Sequence, residues 1–264
     1  MTVKFYKYQG TGNDFVMIDN RPNHVFTKKH TALVKHLCDR KFGIGADGLI
    51  LLNVKNGYDF EMVYFNSDGN ESTMCGNGGR CLIKFAHDLG VINKSCLFLA
   101  IDGPHEGAIL SDGVISLKMK DVDTLEHYNG NDVILNTGSP HYVIFVGNVS
   151  GMDIVKEAKR IRYSDRFSKD GVNVNFVERI SEDEVFVRTY ERGVEDETLS
   201  CGTGVVASSL AFANRRGTGI EKVKVKTPGG KLEVNFTANG NGYKDIYLIG
   251  PAERVFEGTI EVNI

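Results

Sequence analysis

Two cysteines, Cys75 and Cys201, each open the pattern Cys-Gly-x-Gly, and they stand almost half a chain length apart. The repetition extends to either side. Phe65, Gly69 and Glu71 precede Cys75 much as Tyr190, Gly193 and Glu197 precede Cys201. Each pattern then runs into a mainly apolar stretch that stops at a glycine, residues 82–90 in the first copy and 205–217 in the second. Residues 12–15 lie opposite residues 138–141 at the same offset, and Asp47-Gly48 lies opposite Asp170-Gly171 with an offset three residues shorter. So long a period excludes the short repeats of solenoids and propellers. The chain must hold two similar domains, each with its own thiol.

Residue usage narrows the function classes. With 264 residues, 41% hydrophobic and 25% charged, the chain suits one large or two mid-sized cores. A net charge of −3 argues against a nucleic-acid partner, which needs a clustered basic surface. No apolar run approaches the roughly 18 residues that span a bilayer, and the first ten residues lack a signal-peptide core, so the expected location is the cytoplasm. There Cys38, Cys75, Cys81, Cys96 and Cys201 are expected to stay reduced. No Cys-x-x-Cys pair or close histidine–carboxylate set suggests a metal site.

Many short strands and few helices are predicted. Residues 5–8, 15–19, 48–53, 60–65 and 97–100 read as strands, β-branched, aromatic and leucine residues bracketed by glycine, asparagine or aspartate. In the second half residues 133–136, 142–146, 172–177, 185–190, 223–226 and 232–236 read the same way. One helix is expected over 28–40 behind Thr27, another over 152–162 with Asp153 near its start. After Cys75, the residues Cys81, Leu82, Phe85, Ala86 and Leu89 form an apolar stripe at helical spacing. After Cys201 the helix is apolar or small on nearly every side, so it must be enclosed. The fold class is α+β: two domains, each a curved sheet wrapped around its own helix, with a cysteine at that helix's N-terminus.

That position carries chemistry. A helix N-terminus presents unpaired backbone N–H groups and about half a positive charge, which favours a thiolate and also holds a carboxylate. Gly76, Gly78, Gly202 and Gly204 leave those amides open to a ligand. Two such sites gripping one tetrahedral carbon, one sulfur as thiolate base and the other as thiol acid, would invert a stereocentre.

At this point the sequence resembles the diaminopimelate epimerase family, whose members interconvert LL- and meso-diaminopimelate without pyridoxal phosphate. The resemblance rests on GTGNDFV at residues 10–16, GIGADG at 43–48, FNSDGNE and CGNGGRC between 65 and 81, SPHYV at 139–143, and YERG and CGTG between 190 and 204. It implies two pseudo-symmetric domains, each a β-sheet barrel around a central helix, here residues 1–121 and 122–251. A last strand near 252–264 returns to the first domain. It implies no cofactor, a small-molecule substrate, no membrane or nucleic-acid partner, and a possible homodimer. Cys75 and Cys201 match the acid/base thiols. Asn13, Asn66 and Asn173 match substrate-binding positions, Gly76-Asn77 and Gly202-Thr203 the backbone cradles for the reacting carboxylate, and Glu191 and Arg192 a substrate-binding pair. His141 matches a histidine thought, with Glu191, to tune the thiols.

Four positions depart from the better-known members. Gly48 stands where they have glutamine, Ser139 where they have asparagine, Phe256 where some have a tyrosine linked to dimer contact, and one extra residue separates Arg192 from Cys201. Two other readings share the thiol pair. A proline or hydroxyproline racemase has a substrate with no second amino-acid head for Asn66, Asn173 and Arg192 to hold. A redox sensor forming a reversible disulfide has no need of the asparagines, Arg192 or the two cradles.

Overall fold

A computed structural model describes residues 1–21, 24–217 and 219–263. The chain divides into two compact units, one of residues 1–117 with 250–264, the other of residues 118–249.

In the first unit, β1 (Thr2–Gly10) and β2 (Asn13–Asp19) form a hairpin closed by Thr11 and Gly12 alone. Both loop residues have positive φ, 51° and 86°, the tight turn whose twist matches that of paired strands. Helix α1 (Thr31–Cys38) crosses over to β3 (Gly48–Asn53), which runs parallel to β2. β3 pairs antiparallel with β4 (Phe60–Asn66). Helix α2 (Gly76–Asp88) then leads to β5 (Ser95–Ala100), parallel to β4, and the antiparallel strands β6 (Gly103–Ile109) and β7 (Ile115–Lys118) follow. The C-terminal strand Glu253–Glu261 pairs antiparallel with the other edge of β1. It occupies most of the expected span 252–264, of which Ile264 lies outside the described residues. α2 touches β1, β2, β3, β6 and the C-terminal strand, so the sheet curves around it.

The second unit repeats the plan. After β8 (Glu126–Tyr128) come the antiparallel strands β9 (Asp132–Asn136) and β10 (Pro140–Phe145), then helix α3 (Ile154–Arg162) crossing to β11 (Asn173–Arg179), parallel to β10. β12 (Glu184–Glu191) pairs antiparallel with β11 and with the short β13 (Asp196–Thr198). Helix α4 (Gly202–Arg216) leads to β14 (Lys222–Thr227), parallel to β12, and the antiparallel β15 (Gly230–Asn239) and β16 (Gly242–Gly250) complete the sheet. α4 touches β9, β10, β11, β12, β14 and β15.

The composition of the two central helices explains their enclosure. In α2, Cys81, Leu82, Ile83, Phe85 and Ala86 are all fully buried, and in α4 every residue from Gly204 to Ala213 is buried. An apolar surface that runs round a helix is stable in water only when something covers every side of it. No helix among the described residues is long and apolar enough to cross a membrane.

Three expectations shift. The helix expected over 28–40 spans only Thr31–Cys38 and starts after His30, not Thr27. Thr27 instead closes a turn, its carbonyl accepting from the His30 N–H at 3.1 Å. At the far end Asp39 leaves the helix with extended backbone, and its carboxylate accepts the Lys41 and Phe42 N–H groups at 2.7 and 2.8 Å, a local turn that outcompetes another helical residue. The helix expected over 152–162 begins at Ile154, because Asp153 is its cap and accepts from the Lys156 N–H at 3.1 Å. Strands β6, β7, β8, β13 and β16 were not foreseen.

Candidate active site

Both cysteines are the N-cap residues of the central helices. Cys75 (φ −98°, ψ 128°) and Cys201 (φ −112°, ψ 110°) are extended, so each side chain sits at the helix mouth and neither caps the helix itself. Their carbonyls accept the first helical bonds, from Gly79 N at 2.7 Å and Val205 N at 2.8 Å. Gly76-Asn77 and Gly202-Thr203 thus form the first turns, where backbone N–H groups have no intrahelical acceptor. At Gly204 an added Cβ would lie 2.4 Å from Asn175 Oδ1, so this glycine is needed for a side-chain network and not only for access.

In the first unit, a chain of amides runs from the thiol. Cys75 Sγ donates to Asn13 Oδ1 at 3.7 Å, and Asn77 Nδ2 donates to the same oxygen at 3.4 Å. Asn13 Nδ2 donates to Asp47 Oδ2 at 2.6 Å, and Asp47 is held in turn by Arg40 at 2.7 Å. Asp14, beside Asn13, pairs with Arg40 and with the buried Lys7. Burial opposes ionisation of Asp14, but the hydrogen bonds from Arg40 and Lys7 prevail and hold its carboxyl well below the usual range. The other end of the chain is Arg80, whose Nη2 donates to Asn77 Oδ1 at 3.1 Å. Asn66 stands apart from this network, exposed at the end of β4 opposite Gly48.

In the second unit, Cys201 Sγ lies 3.5 Å from Thr203 Oγ1, and Thr203 Oγ1 lies 2.9 Å from His141 Nε2. His141 Nδ1 faces Asn175 Nδ2 at 3.1 Å. Asn175 Oδ1 accepts from Thr189 at 3.0 Å, so its nitrogen is the atom turned to the ring. An amide nitrogen only donates, so Nδ1 accepts and the ring proton sits on Nε2. His141 therefore donates to Thr203, and the threonine hydrogen is left to point at Cys201. Burial pushes the His141 pKa down to about 3, which keeps the ring neutral.

The remaining predicted residues lie on adjoining strand ends. Asn173 is buried; its Nδ2 donates to Ser139 Oγ at 2.9 Å and Pro140 O at 3.1 Å, and its Oδ1 accepts the Arg192 N–H at 2.8 Å. Asn173 thus ties Ser139 to the Glu191-Arg192 segment. Glu191 is half-buried at the end of β12, and Arg192 is exposed with Nη1 on Asp170 O at 2.7 Å.

Sequence reasoning missed Asp47, Arg80, Asn175 and Thr189. Asn175 carried a signal, since it follows Asn173 by two residues and strand alternation puts both on one face. Arg80 carried another, as a charge beside the apolar stripe of α2. Burial pushes the remaining thiols, Cys38, Cys81 and Cys96, up to about 12. Among the described residues no group of three or more His, Cys, Asp or Glu is placed to hold a metal ion.

The neutrality of His141 has a measurable consequence. An unfolded histidine takes up a proton near pH 6.5, whereas folded His141 does so only near pH 3. Its folded pKa is lowered, so the stabilisation is complete above the unfolded value and is lost as pH falls from about 6.5 to about 3. The loss is on the order of a few kcal/mol. The midpoint of urea unfolding is expected to fall more steeply across this window in the parent than in His141→Gln. Equal slopes would place the acid sensitivity elsewhere.

Comparison with known proteins gives a consistent family. A family model described as diaminopimelate epimerase matches residues 5–124 and 133–255. The diaminopimelate epimerase of Flavobacterium psychrophilum is 54% identical, over 98% of this chain and 100% of its own length. Among solved structures, a phenazine biosynthesis protein of the PhzF family from Bacillus anthracis superposes with a TM-score of 0.78 at 14% identity, covering 99% of this chain and 100% of the other. A probable proline racemase from Agrobacterium radiobacter K84 gives 0.69 at 11% identity, with 99% and 93% covered. At such identities the two structures speak for a common fold alone.

Proposed function

The chain belongs to the diaminopimelate epimerase family, and from that premise we propose that it interconverts LL- and meso-diaminopimelate by two-base proton exchange between Cys75 and Cys201. One sulfur, as thiolate, removes the proton from the α-carbon; the other, as thiol, delivers a proton to the opposite face. The electron pair left on carbon is delocalised into the adjacent carboxylate, whose growing negative charge is met by the backbone N–H groups at Gly76-Asn77 and Gly202-Thr203. No outside oxidant or acid is consumed. The sulfurs end with their protonation states exchanged, which is why the same pair serves both directions.

The observation that carries this reading is the duplication itself: each central helix begins at a cysteine cap followed by glycines, and each thiol has hydrogen-bond partners within its own unit. Asn13 and Asn77 flank Cys75, while Thr203 and His141 support Cys201. Asn66, Asn173, Glu191 and Arg192 are assigned to the substrate, Asn173 chiefly by holding Arg192 in place. The five cysteines suit the reducing cytoplasm as its site of action. Val255 and Phe256, exposed on the C-terminal strand, are the surface offered to a second copy in a homodimer.

The reaction is tested in heavy water with reduced protein, LL-diaminopimelate and no added cofactor. Each newly formed meso product molecule is expected to carry deuterium at the inverted carbon. Product that keeps its original hydrogen would mean a single base and sink the two-thiol scheme.

A further inference from the structure

Arg80 is the largest fully buried side chain among the described residues. Its guanidinium reaches Gly76 O at 3.3 Å, Thr11 Oγ1 at 3.2 Å, Asn77 Oδ1 at 3.1 Å and Pro251 O at 3.5 Å. Every one of these acceptors is neutral. The carboxylates on neighbouring elements are committed elsewhere: Asp14 of β2 to Lys7 and Arg40, Asp88 of α2 to Tyr8 and Lys84, and Glu253 of the C-terminal strand to Gln9. Among the described residues Arg80 has no ion-pair partner.

Such a charge is costly. Removing a cation from water carries a penalty that neutral hydrogen bonds offset only in part. An apolar side chain would avoid it, and the internal repeat shows one in place: the residue five positions after Cys201 is Val206, also fully buried. The two helices therefore differ at this position in charge, not in burial. Gly10 lies against this turn of α2: a Cβ there would meet Cys81 Sγ at 3.2 Å, Asn77 O at 3.3 Å and Arg80 Nη2 at 3.4 Å.

The titratable groups that feel the charge are two thiols, Cys81 and Cys75. Burial pushes Cys81 up to about 12, so it stays protonated at neutral pH. Burial pushes Arg80 itself down to about 10, which leaves it cationic below that. Cys75 is half-exposed at the mouth of the helix and is linked to Arg80 through Asn13 and Asn77.

We propose that Arg80 is a positioning residue that acts through Cys75: its buried positive charge stabilises the Cys75 thiolate, and its bond to Asn77 fixes the amide chain that holds the sulfur. The role deepens the assignment of Cys75 as an acid/base thiol and rests on it. A second source of positive potential is thereby added to the helix N-terminus, from a position that α4 fills with Val206. Cys201 is served instead by a neutral hydrogen-bond relay from His141 through Thr203.

The test reads the ionisation of the thiol directly and needs no turnover. The full-length protein is alkylated with iodoacetamide across a pH series, and Cys75 modification is followed by peptide mass spectrometry. In the parent the midpoint is expected below the ordinary cysteine value of about 8.5. In Arg80→Gln it is expected to rise by about one pH unit or more, with alkylation near pH 7 roughly tenfold slower. Arg80→Lys, which keeps the charge, is expected to stay near the parent. Should the glutamine variant not fold, Arg80→Met, apolar as the second copy is at this position, takes its place. A parent midpoint at or above 8.5, or one that does not move when the charge is removed, overturns the proposal. A depressed midpoint in a protein that does not epimerise diaminopimelate would leave it standing and remove the assigned reaction instead.

Discussion

Cys75→Ala and Cys201→Ala are each expected to lower kcat/KM for diaminopimelate by about 10²- to 10⁴-fold, and the double variant to lose little more than either single one. Each positioned acid or base contributes a factor of this size. The proton removed by one sulfur has meaning only if the other supplies its replacement, so deleting either breaks the same exchange and the losses do not multiply. Neither cysteine side chain caps its helix, and alanine fits the extended cap conformation, so the helices are expected to survive. Steady-state assays in both directions, alongside urea unfolding of each variant, separate chemistry from stability. A single variant that keeps a tenth of the parent activity would remove that cysteine from the reaction.

Discrimination against proline is expected to reach 10⁴-fold or more in kcat/KM. Diaminopimelate has two amino-acid heads. One is inverted; the other presents a carboxylate and an ammonium to whatever recognises it. Arg192 and Glu191 are the charged candidates for that recognition, and their segment is pinned by the bond from the Arg192 N–H to Asn173 and from Arg192 Nη1 to Asp170. A site built to pair polar groups rejects a ligand that leaves them unpaired by about 10⁴- to 10⁵-fold, and proline supplies only the reactive head. Arg192→Lys is expected to be costly as well, because an ammonium cannot reproduce the two-pronged grip of a guanidinium while also holding the Asp170 carbonyl. The comparison is of kcat/KM for LL-diaminopimelate, proline and lysine in parent and variant. Comparable proline turnover would move the chain to the racemase reading that shares its thiol pair, and an unimpaired Arg192→Lys would take the arginine out of recognition.

The fold was legible where residue type and burial agree. The two central helices announced themselves because an apolar helix bracketed by glycines has to be wrapped, and the sheet strands rich in valine, leucine and phenylalanine were read for the same reason. The overlooked strands break that agreement. β6 contains Gly103, Pro104 and Gly107; β13 has three residues; β16 carries Asp245 with a φ of 50°. These are strands because neighbouring strands pair with them, which local sequence does not record. In the candidate site, the thiols and their immediate amides were visible as motifs, while the groups that orient them were not. Asn175, Thr189 and Asp47 act through distances that only the folded sheet creates. Gly48 is instructive: a Cβ there would lie 2.6 Å from both Tyr64 Cε2 and Phe65 O, so the absence of a side chain at 48 is matched by the presence of a ring at 64. From the sequence alone Gly48 is only a departure from the better-known members, with no partner residue to account for it.

The pairing of β1 with the strand Glu253–Glu261 gives the two thiols different histories during synthesis. The unit that holds Cys201 is a continuous stretch of chain, and all of its residues exist once residue 249 has been made. The unit that holds Cys75 is interrupted: β1 gains its outer partner, the Met1 amino group its bond to Val262 O, and Arg80 its contact with Pro251 O only once residues 250–264 are made. Until then β1 waits with one edge bare, the state in which β-structure is most open to mispairing. Order of translation and order of completion run opposite ways in this molecule, and the half begun first is the half finished last.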